Sequence, residues 1–231
     1  MHSTNINRRQ ILAGSAALCG LTLAGCVSAP SSMPRVAPAP AAPDVPPDVL
    51  AYYGPRPQEQ FPIPAVNIAK VDPRYWRTMV DDPTGERPGT VVVDTPSRYL
   101  YWVMPGGRAM RYGVGIGREG FAWGGRARIA YKRAWPRWTP PAAMIARQPE
   151  LEQYRYGMEP GLTNPLGARA LYIHDSSGDT LYRVHGTMEE WSIGKAVSSG
   201  CVRLLFHDVI DLHDRVPDGA PIVVRQSAQM A

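Results

Sequence analysis

The sequence predicts a mainly β protein, a small sandwich or barrel with one or two helices. Short runs of β-branched and aromatic residues recur between turn signals. Helical periodicity is scarce, and no alternation of strands with long helical patterns suggests a parallel α/β sheet. About 180 residues follow residue 50, one domain's worth of chain and enough to bury a core.

The elements begin at Gly89. Thr90 to Asp94 and Arg98 to Val103 read as strands, and Pro105-Gly-Gly107 turns the chain into a partner running from Arg108 to Ile116. Arg126 to Lys132, Arg169 to His174, Thr180 to His185 and Ile222 to Arg225 supply further short strands. Pro141 to Glu152 is expected to form a helix, with proline in the first turn where a missing N–H is harmless. Leu205 to Val216 is the stronger helix, because Leu205, Val209, Leu212 and Val216 fall on one face. Residues 51–87 are Pro-rich and weakly periodic, and are expected to be an irregular lead-in packed on a domain spanning 88–226.

The N-terminal 25 residues read as an export signal. Arg8 and Arg9 form a basic start, Ile11 to Leu23 is apolar but too short to span a bilayer, and Leu23-Ala-Gly-Cys26 follows. That tetrapeptide resembles a bacterial lipobox, which makes Cys26 the lipidated first residue of the mature chain. Asn7-Arg-Arg-Gln-Ile-Leu12 fits either a twin-arginine signal or an ordinary basic region. Residues 26–50 form a linker: seven prolines fall between 27 and 49, so the segment stays extended.

Removing residues 1–25 takes two arginines and no acid from 25 basic and 20 acidic residues, leaving a charge of +3. That is too small, and too dispersed, for a nucleic-acid partner. Cys19 leaves with the signal and Cys26 carries the lipid, so Cys201 is the one free thiol of the mature chain.

Cys201 sits in Ser198-Ser-Gly-Cys-Val-Arg-Leu204, and His185 in Arg183-Val-His-Gly-Thr187. An ordinary thiol is only a few per cent thiolate at neutral pH, so a nucleophilic cysteine needs an imidazole or another activating group. Extended backbone from Ser199 to Arg203 would put Ser199, Cys201 and Arg203 on one face. The Gly200 and Cys201 amides are candidate oxyanion donors. Pairing with His185 would lower the thiol pKa and speed its alkylation near pH 6.5. The competing reading is a buried structural cysteine beside a core histidine, with Arg203 in a plain ion pair.

Two other motifs fare worse. Gly115-Ile-Gly117-Arg-Glu-Gly120 matches GxGxxG, but Phe121-Ala-Trp-Gly-Gly125 cannot start the helix that a dinucleotide site requires. His207 and His213 stand six apart, about 240° around a helix, and cannot converge on one ion. His174, His185 and Cys201 could converge, yet no CxxC or HxxxH spacing supports a metal. Trp123, Trp135 and Trp138 are available to wall a cleft or simply to pack.

His185-Gly-Thr187, Ile193-Gly194 and Ser198 to Leu204 occur in the order and spacing of a known family, and the chain resembles the L,D-transpeptidases with a YkuD-type catalytic domain. The likeness extends over most of Gly89 to Arg225, including Asn164-Pro-Leu-Gly-Ala168 and Asp218-Gly-Ala-Pro-Ile-Val223. It implies Cys201 as nucleophile, His185 as base and proton donor, a Ser199 carbonyl orienting His185, and Gly200 as oxyanion amide. Arg203, Gly186 and Thr187 are then substrate-binding. The commonest pattern of the family has His at the position of Ser199. The implied substrate is the peptidoglycan stem peptide, with no cofactor and no metal. The implied products are 3→3 cross-links; hydrolysis, or attachment of an outer-membrane protein, would use the same acyl-enzyme. A silent wall-binding lipoprotein is the non-enzymatic alternative. Val27 lacks the Asp that often retains lipoproteins in the inner membrane, so the expected location is the periplasm on a lipid anchor, at the outer membrane rather than the inner.

Overall fold

The computed structural model describes residues 44–117, 123–198 and 200–226. The signal segment, Cys26, most of the linker, Gly120 and Ser199 lie outside the described residues.

Nine strands form one mixed sheet in the order β1-β4-β3-β2-β11-β6-β7-β8-β10. They are β1 (Thr78–Asp81), β2 (Val91–Asp94), β3 (Tyr99–Met104), β4 (Arg108–Gly113), β6 (Gly125–Ala134), β7 (Arg169–Asp175), β8 (Gly178–Thr187), β10 (Val202–Leu205) and β11 (Pro221–Arg225). A two-stranded sheet pairs β5 (Ile116–Gly117) with β9 (Ala196–Ser198). The β11–β2 and β10–β8 pairs are parallel, and the other neighbours of the large sheet are antiparallel. Just past β4, Gly115 exchanges two backbone hydrogen bonds with Arg203 of β10, at 2.9 and 2.8 Å, which gives the sheet a barrel-like closure. The protein is mainly β, as expected.

Alternation along the strands builds the core. Val91 and Val93 of β2 join Leu171, Ile173, Val184, Val202 and Leu204 beneath α3 (Phe206–Arg215), which contributes Val209 and Leu212. Val92 points the other way, into a second cluster with Tyr101, Val103 and Ala109. Leu205 ends β10 as the N-cap of α3 and Val216 is its C-cap, so the helix is one residue shorter at each end than its periodicity suggests.

Pro141 to Glu152 is not one helix. The helix α2 (Ala142–Arg147) stops at Gln148, which adopts φ −137° and ψ 80°, and a 3₁₀ segment runs from Pro149 to Tyr154. A proline ring disfavours helical backbone in the residue before it, and Pro149 imposes this on Gln148. The lead-in is more ordered than its composition suggests. The expected linker ends before residue 50, because α1 (Pro47–Tyr52) runs from it into the lead-in, which supplies β1 to the sheet edge and packs Tyr53, Ile68, Val71, Tyr75 and Trp76 against Ile193 and Leu205. A buried polar cluster fastens it: the Tyr53 hydroxyl donates to Asp208 at 3.2 Å and accepts from the Arg77 amide at 2.9 Å, while the Arg77 guanidinium lies 3.1 Å from Asp211. No helix among the described residues is long and apolar enough to cross a membrane.

Candidate active site

The register of β6, β7, β8 and β10 places the candidate residues. His185 stands opposite Arg203 of β10 on one side and Ala170 of β7 on the other. Val202 pairs with Val184 and points into the core, so Cys201, one residue earlier, turns to the face that carries Arg183 and His185. The thiol and the imidazole therefore share one face of a parallel pair, one pleat apart.

His185 is 5 % exposed, and its Nδ1 lies 3.0 Å from the Gly186 carbonyl oxygen. A carbonyl oxygen only accepts, so Nδ1 carries the hydrogen and Nε2 keeps the lone pair that takes a proton. Burial, opposed by the Gly186 carbonyl and assisted by Arg203 and Arg183, pushes the imidazole pKa down to about 4. Burial also pushes the Cys201 thiol up, although the Arg183 amide and the Arg183 and Arg203 charges pull the other way. The expected lowering of the thiol pKa is thus reversed. Desolvation opposes the nearby positive charges at a thiol that is itself only partly buried, and both shifts favour the uncharged forms of the pair.

Gly200 has φ 134°, backbone that disfavours any residue with a Cβ. Its amide donates to the Ser198 hydroxyl at 3.3 Å, and that hydroxyl donates to the Cys201 carbonyl at 2.7 Å. Ser198 thereby pins the loop that presents the thiol. The Gly200 amide, expected to be a free oxyanion donor, is held by this long bond at rest. Arg203 is engaged as well: its Nη1 donates to Glu189 at 2.7 Å.

Gly186 does not line the substrate side. Alternation turns its Cα to the face opposite His185, where a Cβ would meet Phe206 at 2.8 Å and Val209 at 3.0 Å. Its place in the site is the carbonyl that orients the imidazole. Thr187 uses its hydroxyl oxygen to accept from the Glu189 amide at 3.1 Å, and with Met188 it lines a cavity shared with Ile63, Val66, Leu205 and His207. The carbonyl of Ser199 lies outside the described residues.

The sequence reading missed Ser198 and Glu189. Only Glu189 left a signal, an acid close behind the histidine motif. His174 does not join His185: it pairs with Asp179, four β7 residues beyond the Ala170 that faces His185. His207 is buried on the lead-in with Nε2 2.6 Å from the Gly54 carbonyl oxygen, and His213 lies against Asp214. Gly115 and Gly117 belong to a bridge and to β5, not to the start of a helix. Trp135 packs in a core cluster with Phe206 and donates to Glu59, whereas Trp123 lies beside Tyr182 at 6.4 Å. Trp138 exchanges backbone hydrogen bonds with Met158 and lies near Tyr154.

Comparison with known proteins places these residues in a family. Residues 88–224, more than half of the chain, match the model of the YkuD L,D-transpeptidase catalytic domain. A probable L,D-transpeptidase YbiS of Escherichia coli K12 is 34 % identical over 145 residues, covering 58 % of this chain and 43 % of that protein. The chain thus spans less than half the length of that relative. A putative L,D-transpeptidase of Fuscovulum blasticum is 33 % identical over 161 residues, covering 68 % of this chain and 79 % of the relative. A solved Brucella melitensis structure described as a probable carnitine operon oxidoreductase is 42 % identical with a TM-score of 0.47, covering 69 % of this chain and 99 % of that one. The chain belongs to the L,D-transpeptidase family, whose YkuD-type catalytic domain it carries.

Proposed function

We propose that the protein is a peptidoglycan L,D-transpeptidase that forms a thioester on Cys201. Sγ attacks the carbonyl before the terminal D-Ala of a tetrapeptide stem while His185 Nε2 takes the thiol proton. The S–C bond forms and the C–N bond to D-Ala breaks, and the proton passes from His185 to the departing amine. An acceptor amine on a second stem then forms a new C–N bond, expels the thiolate, and returns a proton through His185. The Gly200 amide, exchanging its 3.3 Å bond to Ser198, and the Cys201 amide stabilise the tetrahedral oxyanion. Arg203, held by Glu189, contributes positive potential rather than a free carboxylate clamp.

One observation carries this reading: a histidine tautomer fixed by Gly186, with Nε2 free to accept, on the face of the sheet that bears the thiol. Gly115 and Gly117 lie in a bridge and a strand, not before a helix, which does not fit a dinucleotide site at the GxGxxG match. Mass spectrometry of purified tetrapeptide muropeptides incubated with the enzyme tests the reading. A dimer with loss of D-Ala supports cross-linking, a bare tripeptide supports hydrolysis, and unchanged substrate contradicts both.

We also infer that the mature chain is lipid-anchored through Cys26 in the periplasm, on the outer membrane, with the Pro-rich stretch between Cys26 and α1 as its tether. Fatty-acid labelling should tag the wild type and not Cys26→Ala; equal labelling of both removes the anchor.

A further inference from the structure

The face that bears Cys201 and His185 continues across β7 to β6. Arg133, Ala170, His185 and Arg203 stand in register as one row over four strands, and Tyr131, Tyr172 and Arg183 form the adjacent row. Tyr131 and Tyr172 stack at 4.4 Å with an interplanar angle of 18°. Arg133 covers the outer side of the stack, 5.0 Å from the Tyr131 centroid, and Arg183 covers the other side, 4.4 Å from Tyr172.

The arginines of this face differ in what they have left to offer. Arg183 spends both terminal nitrogens on Asp179, each at 2.7 Å, and Arg203 is bound to Glu189. Arg133 is exposed, and no acidic side chain pairs with it among the described residues. A guanidinium lying on a ring is restrained by the aromatic face while its in-plane N–H donors stay free, the geometry that binds a carboxylate through two parallel hydrogen bonds. Two strand spacings separate Arg133 from His185, about 9.5 Å between Cα atoms.

We propose that Arg133, held on the Tyr131–Tyr172 stack, is the specificity-determining residue that binds a carboxylate of the substrate peptide two to three residues from the scissile bond. The distance fits an extended peptide at about 3.3–3.6 Å per residue. The proposal rests on the stem-peptide reading above and adds to it the group that aligns the peptide along the sheet.

The test measures binding by calorimetry, using the full chain with Cys201→Ser so that no turnover intervenes. The probes are a synthetic tetrapeptide stem and analogues amidated at one carboxylate each. Adding Arg133→Ala should weaken the unmodified peptide about tenfold. One amidated analogue should bind the Cys201→Ser protein about tenfold more weakly, with no further loss when Arg133→Ala is added. Arg133→Lys should recover part of the affinity, and Arg147→Ala, which removes the same charge from α2, should have no effect. Affinity unchanged by Arg133→Ala, or amidation costs that persist undiminished in it, would overturn the proposal alone. Failure of the Cys201→Ser protein to bind any stem peptide would overturn it together with the substrate class.

Discussion

His185 and Arg203 face each other across the parallel pairing of β8 with β10, so a fixed positive charge stands beside a buried imidazole. Burial and this guanidinium both oppose protonation of the ring, and the same burial keeps the thiol protonated. The pair is built for proton transfer during attack rather than for a standing thiolate–imidazolium pair.

Alkylation should report this directly. Burial pushes the Cys201 thiol pKa up, which disfavours the thiolate at pH 6.5. Its iodoacetamide rate should therefore fall below that of an exposed cysteine peptide at pH 6.5 and keep rising past pH 9. A rate plateau reached by pH 6.5 would show a preformed ion pair.

The imidazole also links stability to pH. Its folded pKa of about 4 lies below the unfolded 6.5, so the unfolded chain binds the proton first and stability is lost as pH falls from about 6.5 to 4. The loss amounts to about 3 kcal/mol. Asp208, which burial holds at about 7, acts in the opposite direction over the same range. Urea titrations of wild type against His185→Gln isolate the histidine: the difference between them should change by about 3 kcal/mol between pH 7 and 4. A constant difference would contradict the buried neutral ring.

Arg77 should be costly to remove. Its side chain is 3 % exposed and faces Asp208 at 3.7 Å and Asp211 at 3.1 Å. Arg77→Ala takes the buried counter-charge from Asp208, while Asp211 keeps Arg215 and the Tyr112 hydroxyl, and should cost about 1–3 kcal/mol in denaturant unfolding. A loss under about 1 kcal/mol would mean that the lead-in is not fastened through this cluster.

Gly200→Ala should strain the loop that carries the thiol. At φ 134° a Cβ costs about 1–3 kcal/mol, although it would meet the Tyr182 ring only at an ordinary 3.5 Å. Turnover should drop at least about tenfold while circular dichroism stays native; full activity would show that the loop conformation is dispensable.

Much of the sheet was legible because Val91 to Val93, Leu171, Ile173 and Val184 sit in β-branched, aromatic or alternating runs bounded by glycine turns. Strand β1 was not. Thr78, Met79 and Asp81 are exposed and Val80 only half-buried, so no alternation marks it, and its pairing with β4 comes from the backbone. The expected helix over Pro141 to Glu152 failed on one local conflict, Gln148 before Pro149. In the site, residue types pointed to His185 and Cys201 but left a buried structural cysteine as an equal reading, and the family resemblance favoured the pair. The face chosen by each side chain depends on strand register, which sets Gly186 against Phe206 and brings Glu189 to Arg203. The direction of the thiol shift turns on desolvation, a property of packing that no motif displays.

The most direct test of the account is the intact mass of the enzyme after a short incubation with tetrapeptide stem. Wild type should gain one stem peptide less D-Ala, mapped to Cys201 by peptide fragmentation, and His185→Ala should gain none within the same time. A folded Cys201→Ser variant that still releases D-Ala and cross-links stems would contradict the assignment of Cys201 as the residue that carries the acyl group.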